Sequence, residues 1–83
     1  MRVQAGTEEK GDVLVVIEPA KKKEIVIKSK VQAMYGEAIK NTVKEMTKNL
    51  KKVRVEISDK GALEWVLRAR MEAAMRKYRG EKE

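Results

Sequence analysis

An unbroken apolar run at residues 13–17 constrains the fold of this chain more than any other feature. Its residues are Val, Leu, Val, Val and Ile, and a run rich in β-branched residues without alternation is typical of a strand covered on both faces. Pro19 ends the run, because proline has no amide hydrogen for a β-ladder. The sequence therefore predicts a central strand at residues 12–18.

The next two segments predict a second strand and a helix. Residues 21–23 are three lysines that predict a turn, and residues 24–28 predict a strand that forms a hairpin with the first. Ser29 is expected to open the helix through a capping box with Gln32. An apolar stripe at spacings of three and four then continues to Leu50.

The C-terminal half predicts a third strand and a last helix. Residues 53–58 alternate between apolar and polar side chains, which indicates a strand with one wet face. Asp59 or Ser58 is expected to cap the helix, and strong helix formers follow from Ala62. Gly61 indicates a close approach by another backbone. Trp65 lies on the flank of the helix and is expected to lie at the edge of the core, with a binding contact as the alternative.

These elements predict one α+β domain over residues 1–83, with the order β-β-α-β-α in a two-layer sandwich. Both helices have one apolar stripe and should lie on one face of the sheet. With the first strand in the middle, the sheet is three-stranded and antiparallel in the order 2-1-3. Residues 1–11 are expected to be a loop and residues 79–83 a frayed tail. The predicted core contains Val55, Ile57, Ile39, Val43, Val66 and Leu67.

The open face of this sheet is the predicted partner surface. Depending on the register, it would show either Leu14 and Val16 or the apolar residues at 13, 15 and 17. An exposed apolar patch of that kind usually marks an interaction site. The alternative is that the N-terminal segment folds over it.

The composition excludes several classes of site. Eighty-three residues make a single domain, and the chain has no cysteine and no histidine. Disulfides, thiolate metal sites and histidine-dependent catalysis are therefore excluded, and no metal site is predicted. No apolar run approaches the roughly 20 residues of a membrane helix, and no signal-peptide core is present. The expected location is the cytoplasm, with no membrane partner.

The charge is basic, with 20 Lys and Arg against 13 Asp and Glu and a net charge of +7. Such a balance raises nucleic-acid binding as a hypothesis. The lysines are scattered along the chain, Phe is absent and Tyr occurs twice, so no aromatic platform for bases is available. We interpret the basicity as a solvated surface and do not expect a nucleic-acid partner. A small basic binding module for RNA or protein is the alternative.

Two blocks of sequence resemble the acyl carrier (gamma) chain of citrate lyase. The first contains AGT at 5–7, GDV at 11–13 and the strand that ends at Pro19. The second contains YGEAI at 35–39, DKGAL at 59–63 and LRARMEA at 67–73. With the matching spacing between them, the resemblance covers roughly residues 5–74. The carrier of malonate decarboxylase is similar around the Gly-Asp pair but lacks the second block, and it is the alternative family.

The resemblance implies a carrier without catalytic residues of its own. In that family, a serine directly before the Gly-Asp pair carries a phosphoribosyl-dephospho-coenzyme A arm through a phosphodiester. The thiol of the arm holds acetyl and then citryl groups as thioesters. A transferase chain exchanges the acyl group and a lyase chain cleaves citryl. Chains of these two kinds are the partners that the resemblance implies.

The resemblance places the cofactor-binding site at Lys10, Gly11 and Asp12. Lys10 occupies the position of the modified serine and has no hydroxyl, so the arm is expected to be absent from this chain. Lys10 would then be a solvated loop lysine. Gly11 is expected to need a close or positive-φ backbone, and Asp12 to bond loop amides. Both residues also have a purely structural interpretation.

The remaining hydroxyls and two arginines complete the candidates. Thr7 lies three residues before Lys10 and does not occupy the attachment position. Ser29 and Ser58 are expected to cap helices. Arg68 and Arg70 could bind an acidic partner or the phosphates of an arm. For Arg68, the favoured interpretation is a solvated i,i+4 ladder with the glutamates at 64 and 72.

Overall fold

The computed structural model describes residues 2–29 and 32–80, and the backbone alone at 32–35. The elements are β1 (Val3–Gly6), β2 (Val13–Pro19), β3 (Glu24–Ser29), α1 (Gln32–Met46), β4 (Val53–Asp59) and α2 (Glu64–Tyr78). They form one four-stranded sheet in the order β1-β2-β4-β3. β2 is antiparallel to β1 and to β4, whereas β3 is parallel to β4.

The predicted α+β class and two helices are confirmed, but the sheet prediction was wrong. The sheet is mixed and four-stranded, and β2 and β3 do not form a hairpin, because β4 lies between them. β2 stays paired with β4 to its last residue, Pro19, which lies opposite Val53, and the Ala20 amide donates to the Lys52 carbonyl at 3.0 Å. Residues 20–23 therefore pass the end of β4, and β3 returns along its far side.

The predicted N-terminal loop contains β1, which was missed. Val3 lies opposite Ile17 and Ala5 lies opposite Val15. This strand has four residues and only two apolar side chains, so its pattern in the sequence is too short to distinguish from a loop. It covers the outer edge of β2, which makes β2 an inner strand.

The core lies between one face of the sheet and the two helices. Val55, Ile57, Val43 and Leu67 are buried as predicted, whereas Ile39 and Val66 are only partly buried against the cluster. Met71 is fully buried and was not predicted. The other buried apolar residues of the cluster are Ala5, Val13, Val15, Ile17, Val53 and Ala74.

The start of α2 differs from the prediction. The helix begins at Glu64, and Leu63 occupies the N-cap position without a side-chain bond. Asp59 ends β4 instead, and its Oδ1 accepts hydrogen bonds from the amides of Gly61 at 3.2 Å and Ala62 at 2.9 Å. Gly61 has φ +93°, and a Cβ there would meet no atom within 4 Å, so its conformation and not a close backbone favours glycine.

The predicted role of Ser58 as a helix cap was also wrong, whereas the predicted Ser29 cap involves residues outside the described part of the chain and stays a prediction. Ser29 is the last residue of β3, and its hydroxyl donates to Asp59 Oδ2 at 2.9 Å. Ser58 lies within β4. The rest of the predicted capping box includes residues 30 and 31, and part of the predicted tail is 81–83; both lie outside the described residues.

Two surface predictions are corrected by the structure. Trp65 is 69% exposed and does not lie at the core edge. On the sheet face away from the core, Val16 is only 5% exposed and Leu14 is half-buried, so these two described residues do not form the predicted apolar patch. Charged residues surround them, with Arg54 within 4 Å of Glu18, Glu24 and Glu56 and with Lys28 bonded to Glu56. The face is therefore largely an ion-pair network.

Candidate functional site

The three predicted site residues lie together in the loop that joins β1 to β2, residues 7–12. Lys10 and Gly11 are exposed, and Gly11 has φ +86°. The Gly11 amide donates to the Lys60 carbonyl at 2.8 Å, and the Lys60 amide donates to the Asp12 carbonyl at 3.0 Å. The loop is thus attached to the backbone just after β4, with the Lys10 side chain in solvent.

Asp12 is the organising residue of this loop. Its Oδ1 accepts hydrogen bonds from the Val13 amide at 2.7 Å and from Arg70 Nε at 3.1 Å. Its Oδ2 accepts from the Thr7 hydroxyl at 2.7 Å and from Arg70 Nη2 at 3.0 Å. The Asp12 amide donates to the Glu9 carbonyl at 3.0 Å, and the Glu9 amide donates to Thr7 Oγ1 at 3.2 Å. The carboxylate therefore connects both ends of the loop to α2.

These contacts fix the ionisation of Asp12. The hydrogen bonds from Arg70, Thr7 and the Val13 amide, in that order of strength, hold the pKa of the carboxyl well below its ordinary value. A carboxylate that is ionised throughout the neutral range cannot deliver a proton. Asp12 therefore positions the loop and is unsuited to acid–base catalysis.

Gly6 makes room for this arrangement. It has φ +94°, and a Cβ at this position would lie 1.9 Å from the Val13 carbonyl oxygen and 3.2 Å from Arg70 Cδ. No real side chain tolerates the first distance, so the position requires glycine for space as well as for conformation. Gly6 thereby leaves a path for the Arg70 side chain to reach Asp12.

The loop is exposed, and its described side chains do not form a metal centre. Within residues 2–29 and 32–80, no group of three or more acidic, cysteine or histidine side chains could hold a metal ion. The Asp12 carboxylate already accepts hydrogen bonds from four donors. Among the exposed side chains of the loop, Lys10 is the one directly before the Gly-Asp pair.

Comparison with known proteins decides the family. A sequence model of an acyl carrier protein (ACP) family described as the malonate decarboxylase delta subunit (MdcD) matches residues 1–78. The citrate lyase acyl carrier protein of Serratia proteamaculans (strain 568) is 44% identical over 75 residues, which cover 86% of this chain and 74% of that protein. The chain belongs to the citrate lyase acyl carrier protein family. It is accordingly of the non-catalytic carrier class.

A crystal structure of a Thermus thermophilus protein has a similar fold. Its TM-score is 0.55 at 16% identity over 93% of this chain. This chain spans only 15% of the length of that protein. The likeness concerns the fold alone.

In this acyl carrier chain, the two blocks that carry the family resemblance meet in space. Asp12 belongs to the first block and Arg70 to the second, and the bidentate pair joins them. Gly6 and Thr7 come from the same first block, and Lys60 comes from the second. The blocks are therefore parts of one loop framework, although Asp12 and Arg70 are 58 residues apart in sequence.

The sequence analysis missed this role of Arg70. It offered Arg70 to an acidic partner or to phosphates, but the guanidinium is already bound to Asp12. The available signal was its place in the apolar stripe of the helix, because an arginine whose stem packs along an apolar face has its charged head at the edge of that face, where an opposite charge stabilises it. Arg68 instead lies 3.8 Å from Glu64 on the surface, which confirms one half of the predicted ladder, whereas Glu72 pairs with Arg76 at 2.8 Å.

No helix in the described part of the chain has the length and apolar character needed to cross a membrane.

Proposed function

We propose that this acyl carrier chain docks on the lyase and acyltransferase chains of a citrate lyase-like complex, and that the chain as written carries no phosphoribosyl-dephospho-coenzyme A arm. The observation that supports the proposal is the position of Lys10, at the exposed end of a loop whose framework is otherwise complete. A phosphodiester needs a hydroxyl oxygen, and an ammonium group has none to offer. The residue at position 10 therefore does not fit the group.

The neighbouring hydroxyl does not replace the missing one. Thr7 Oγ1 donates to Asp12 at 2.7 Å and accepts from the Glu9 amide at 3.2 Å, so its proton and a lone pair are used inside the loop. Freeing it for esterification would break the framework that presents residue 10. Ser29 and Ser58 lie in strands β3 and β4, outside this loop.

The same framework predicts that the missing function can be restored. The backbone bonds of Gly11 and Asp12 to Lys60, and the bonds of Asp12 to Thr7 and Arg70, do not involve the Lys10 side chain. A Lys10→Ser substitution leaves every one of these contacts intact. It would place a solvent-exposed hydroxyl directly before the Gly-Asp pair.

The test is the intact mass of the chain after co-expression with the family's arm-transferring enzymes. We expect the unaltered chain and a Lys10→Ala control to have the bare mass, and Lys10→Ser to gain the mass of the arm. An adduct on the unaltered chain would refute the absence of modification. Pull-down of lyase and transferase chains by all three variants tests docking separately, and failure of all three to bind would refute the carrier role in such a complex.

A malonate decarboxylase-type complex is the second candidate, because the family description that matches residues 1–78 names that enzyme. The 44% identity to a citrate lyase carrier favours the first candidate. Parallel pull-downs with the subunits of each complex distinguish them. Retention by malonate decarboxylase subunits alone would support the second.

A further inference from the structure

We infer that the free edge of β3 (Glu24–Ser29) is a self-association surface, on which a second copy of this chain adds its own β3 in antiparallel orientation. Such pairing would join two four-stranded sheets into one continuous sheet. The inference rests on the edge strand and its charges and is independent of the proposed carrier function.

The edge is open and long enough to pair. Within the described residues, β3 is hydrogen-bonded to β4 along one side and to no strand along the other. It has six residues, and the three central ones are half-buried apolar side chains: Ile25, Val26 and Ile27. An unprotected edge of this kind presents unpaired backbone groups to another strand. The other edge strand, β1, has four residues, and the Gln4 carbonyl there already accepts a bond from Lys77 at 3.0 Å.

The sequence of the strand complements itself in one register. When two copies pair antiparallel about a two-fold axis at Val26, Ile25 of each copy lies opposite Ile27 of the other. Glu24 of each copy then lies opposite Lys28 of the other. Cross-strand pairs of opposite charge and of apolar side chains stabilise a sheet. Shifting the register until Glu24 meets its own copy, or until Lys28 does, places like charges opposite each other.

The ion pairs within each protomer extend across this junction. Glu24 Oε2 lies 3.7 Å from Arg54 Nε, and Lys28 Nζ lies 2.9 Å from Glu56 Oε1. The side chains of Glu24 and Lys28 remain 47% and 65% exposed, so each has a free side for a second partner. Pairing would therefore produce a row of alternating signs, from Arg54 and Glu24 of one copy to Lys28 and Glu56 of the other.

The experiment is sedimentation velocity over a concentration series from micromolar to millimolar. We expect reversible dimerisation of the unaltered chain. Glu24→Lys and Lys28→Glu each place like charges opposite one another twice in a homodimer, and each should weaken dimerisation about tenfold. Lys48→Glu makes the same lysine-to-glutamate change as Lys28→Glu, at an exposed residue beyond α1, and should leave dimerisation unchanged.

Mixing the two edge variants gives the decisive result. In a heterodimer of Glu24→Lys with Lys28→Glu, both opposing pairs regain opposite charges, so the mixture should associate at least as well as the unaltered chain. Circular dichroism of each variant confirms that it is folded, and amide chemical shifts of β3 in the unaltered chain should move with concentration. A monomer at all concentrations, or a mixture no tighter than its components, would overturn the inference.

Discussion

The guanidinium of Arg70 donates two hydrogen bonds to the carboxylate of Asp12, which lies 58 residues earlier in the chain. The fork of donors matches the two carboxylate oxygens, a geometry that lysine cannot reproduce. Because Asp12 also receives bonds from Thr7 and from the Val13 amide, the pair connects the β1–β2 loop to the last helix. The position of residue 10 in this acyl carrier chain thus depends on α2.

Replacing Arg70 by lysine should loosen the loop. Arg70→Lys keeps the charge but loses the bidentate geometry, and we expect the amides of Glu9 and Asp12 to exchange with solvent about tenfold faster. Hydrogen–deuterium exchange resolved by NMR measures this directly. Arg68→Lys is the matched control, because Arg68 makes only a 3.8 Å surface pair with Glu64. Equal effects of the two substitutions would contradict the role assigned to Arg70.

The lowered pKa of Asp12 predicts an acid dependence of stability. Because the folded pKa lies below the unfolded value of about 3.9, the contribution is complete above that value and is lost as the pH falls toward the folded pKa. Glu56 has the same sign, since Lys28 and then Arg54 lower its pKa. Unfolding midpoints should therefore fall on acidification below about pH 4. Asp12→Asn should flatten that dependence in circular dichroism melts, and an unchanged slope would contradict the prediction.

Substitutions at Gly6 and Gly11 distinguish the cost of a steric clash from the cost of a positive φ. Both have positive φ, but only at Gly6 would a Cβ collide with the backbone, at 1.9 Å from the Val13 carbonyl oxygen. Gly6→Ala should destabilise the domain by at least about 2 kcal/mol, whereas Gly11→Ala should cost only about 1 kcal/mol. Chemical denaturation measures both. A smaller loss at Gly6 than at Gly11 would show that β1 shifts to accommodate the methyl group.

Two methionines of α2 differ in burial and therefore test how far burial decides the stability lost on truncation to alanine. Met71 is fully buried in the core cluster, and Met75 is only half-buried against it. Met71→Ala should lower the free energy of unfolding by about 2–5 kcal/mol, and Met75→Ala by clearly less. Thermal melts of the pair provide the measurement. Similar losses would mean that the core does not centre on Met71.

Local pattern was enough to predict three strands and two helices, but not how the strands pair. A local pattern indicates which side chains are buried, as the alternation in residues 53–58 and the apolar run at 13–17 both do. Neither reports which strand is the neighbour. A short lysine-rich link after Pro19 suits a hairpin and also suits a passage across the end of β4, and only the pairing of β4 on both sides distinguishes them.

The contacts of the loop were also only partly predictable, because local residue chemistry indicates some of them and the packing of distant elements decides the rest. The positive φ of Gly11 and the acceptance of a neighbouring backbone amide by the Asp12 side chain follow from the chemistry of Gly and Asp in turns. The structure has the first, and for the second the Val13 amide at the start of β2 donates to Asp12 Oδ1. The link to Arg70 depends on α2 crossing the sheet beside β1 and β2, which no local pattern encodes. The need for glycine at position 6 follows mainly from the approach of the Val13 carbonyl oxygen across the β1–β2 pair, which no local pattern encodes either.

The central place of β4 sets an order of events during synthesis. β4 is the last of the described strands to leave the ribosome. It nevertheless lies between β2 and β3 and pairs with both of them. Until residues 53–59 emerge, the only part of the described sheet that the nascent chain can form is the short β1–β2 hairpin. A two-stranded hairpin alone is marginal in water. A fragment of residues 1–52 should therefore lack the native sheet by circular dichroism, and adding a peptide of residues 53–80 should restore it. Folding of this carrier is in that sense a late, nearly single event, completed when α2 brings Arg70 to the loop.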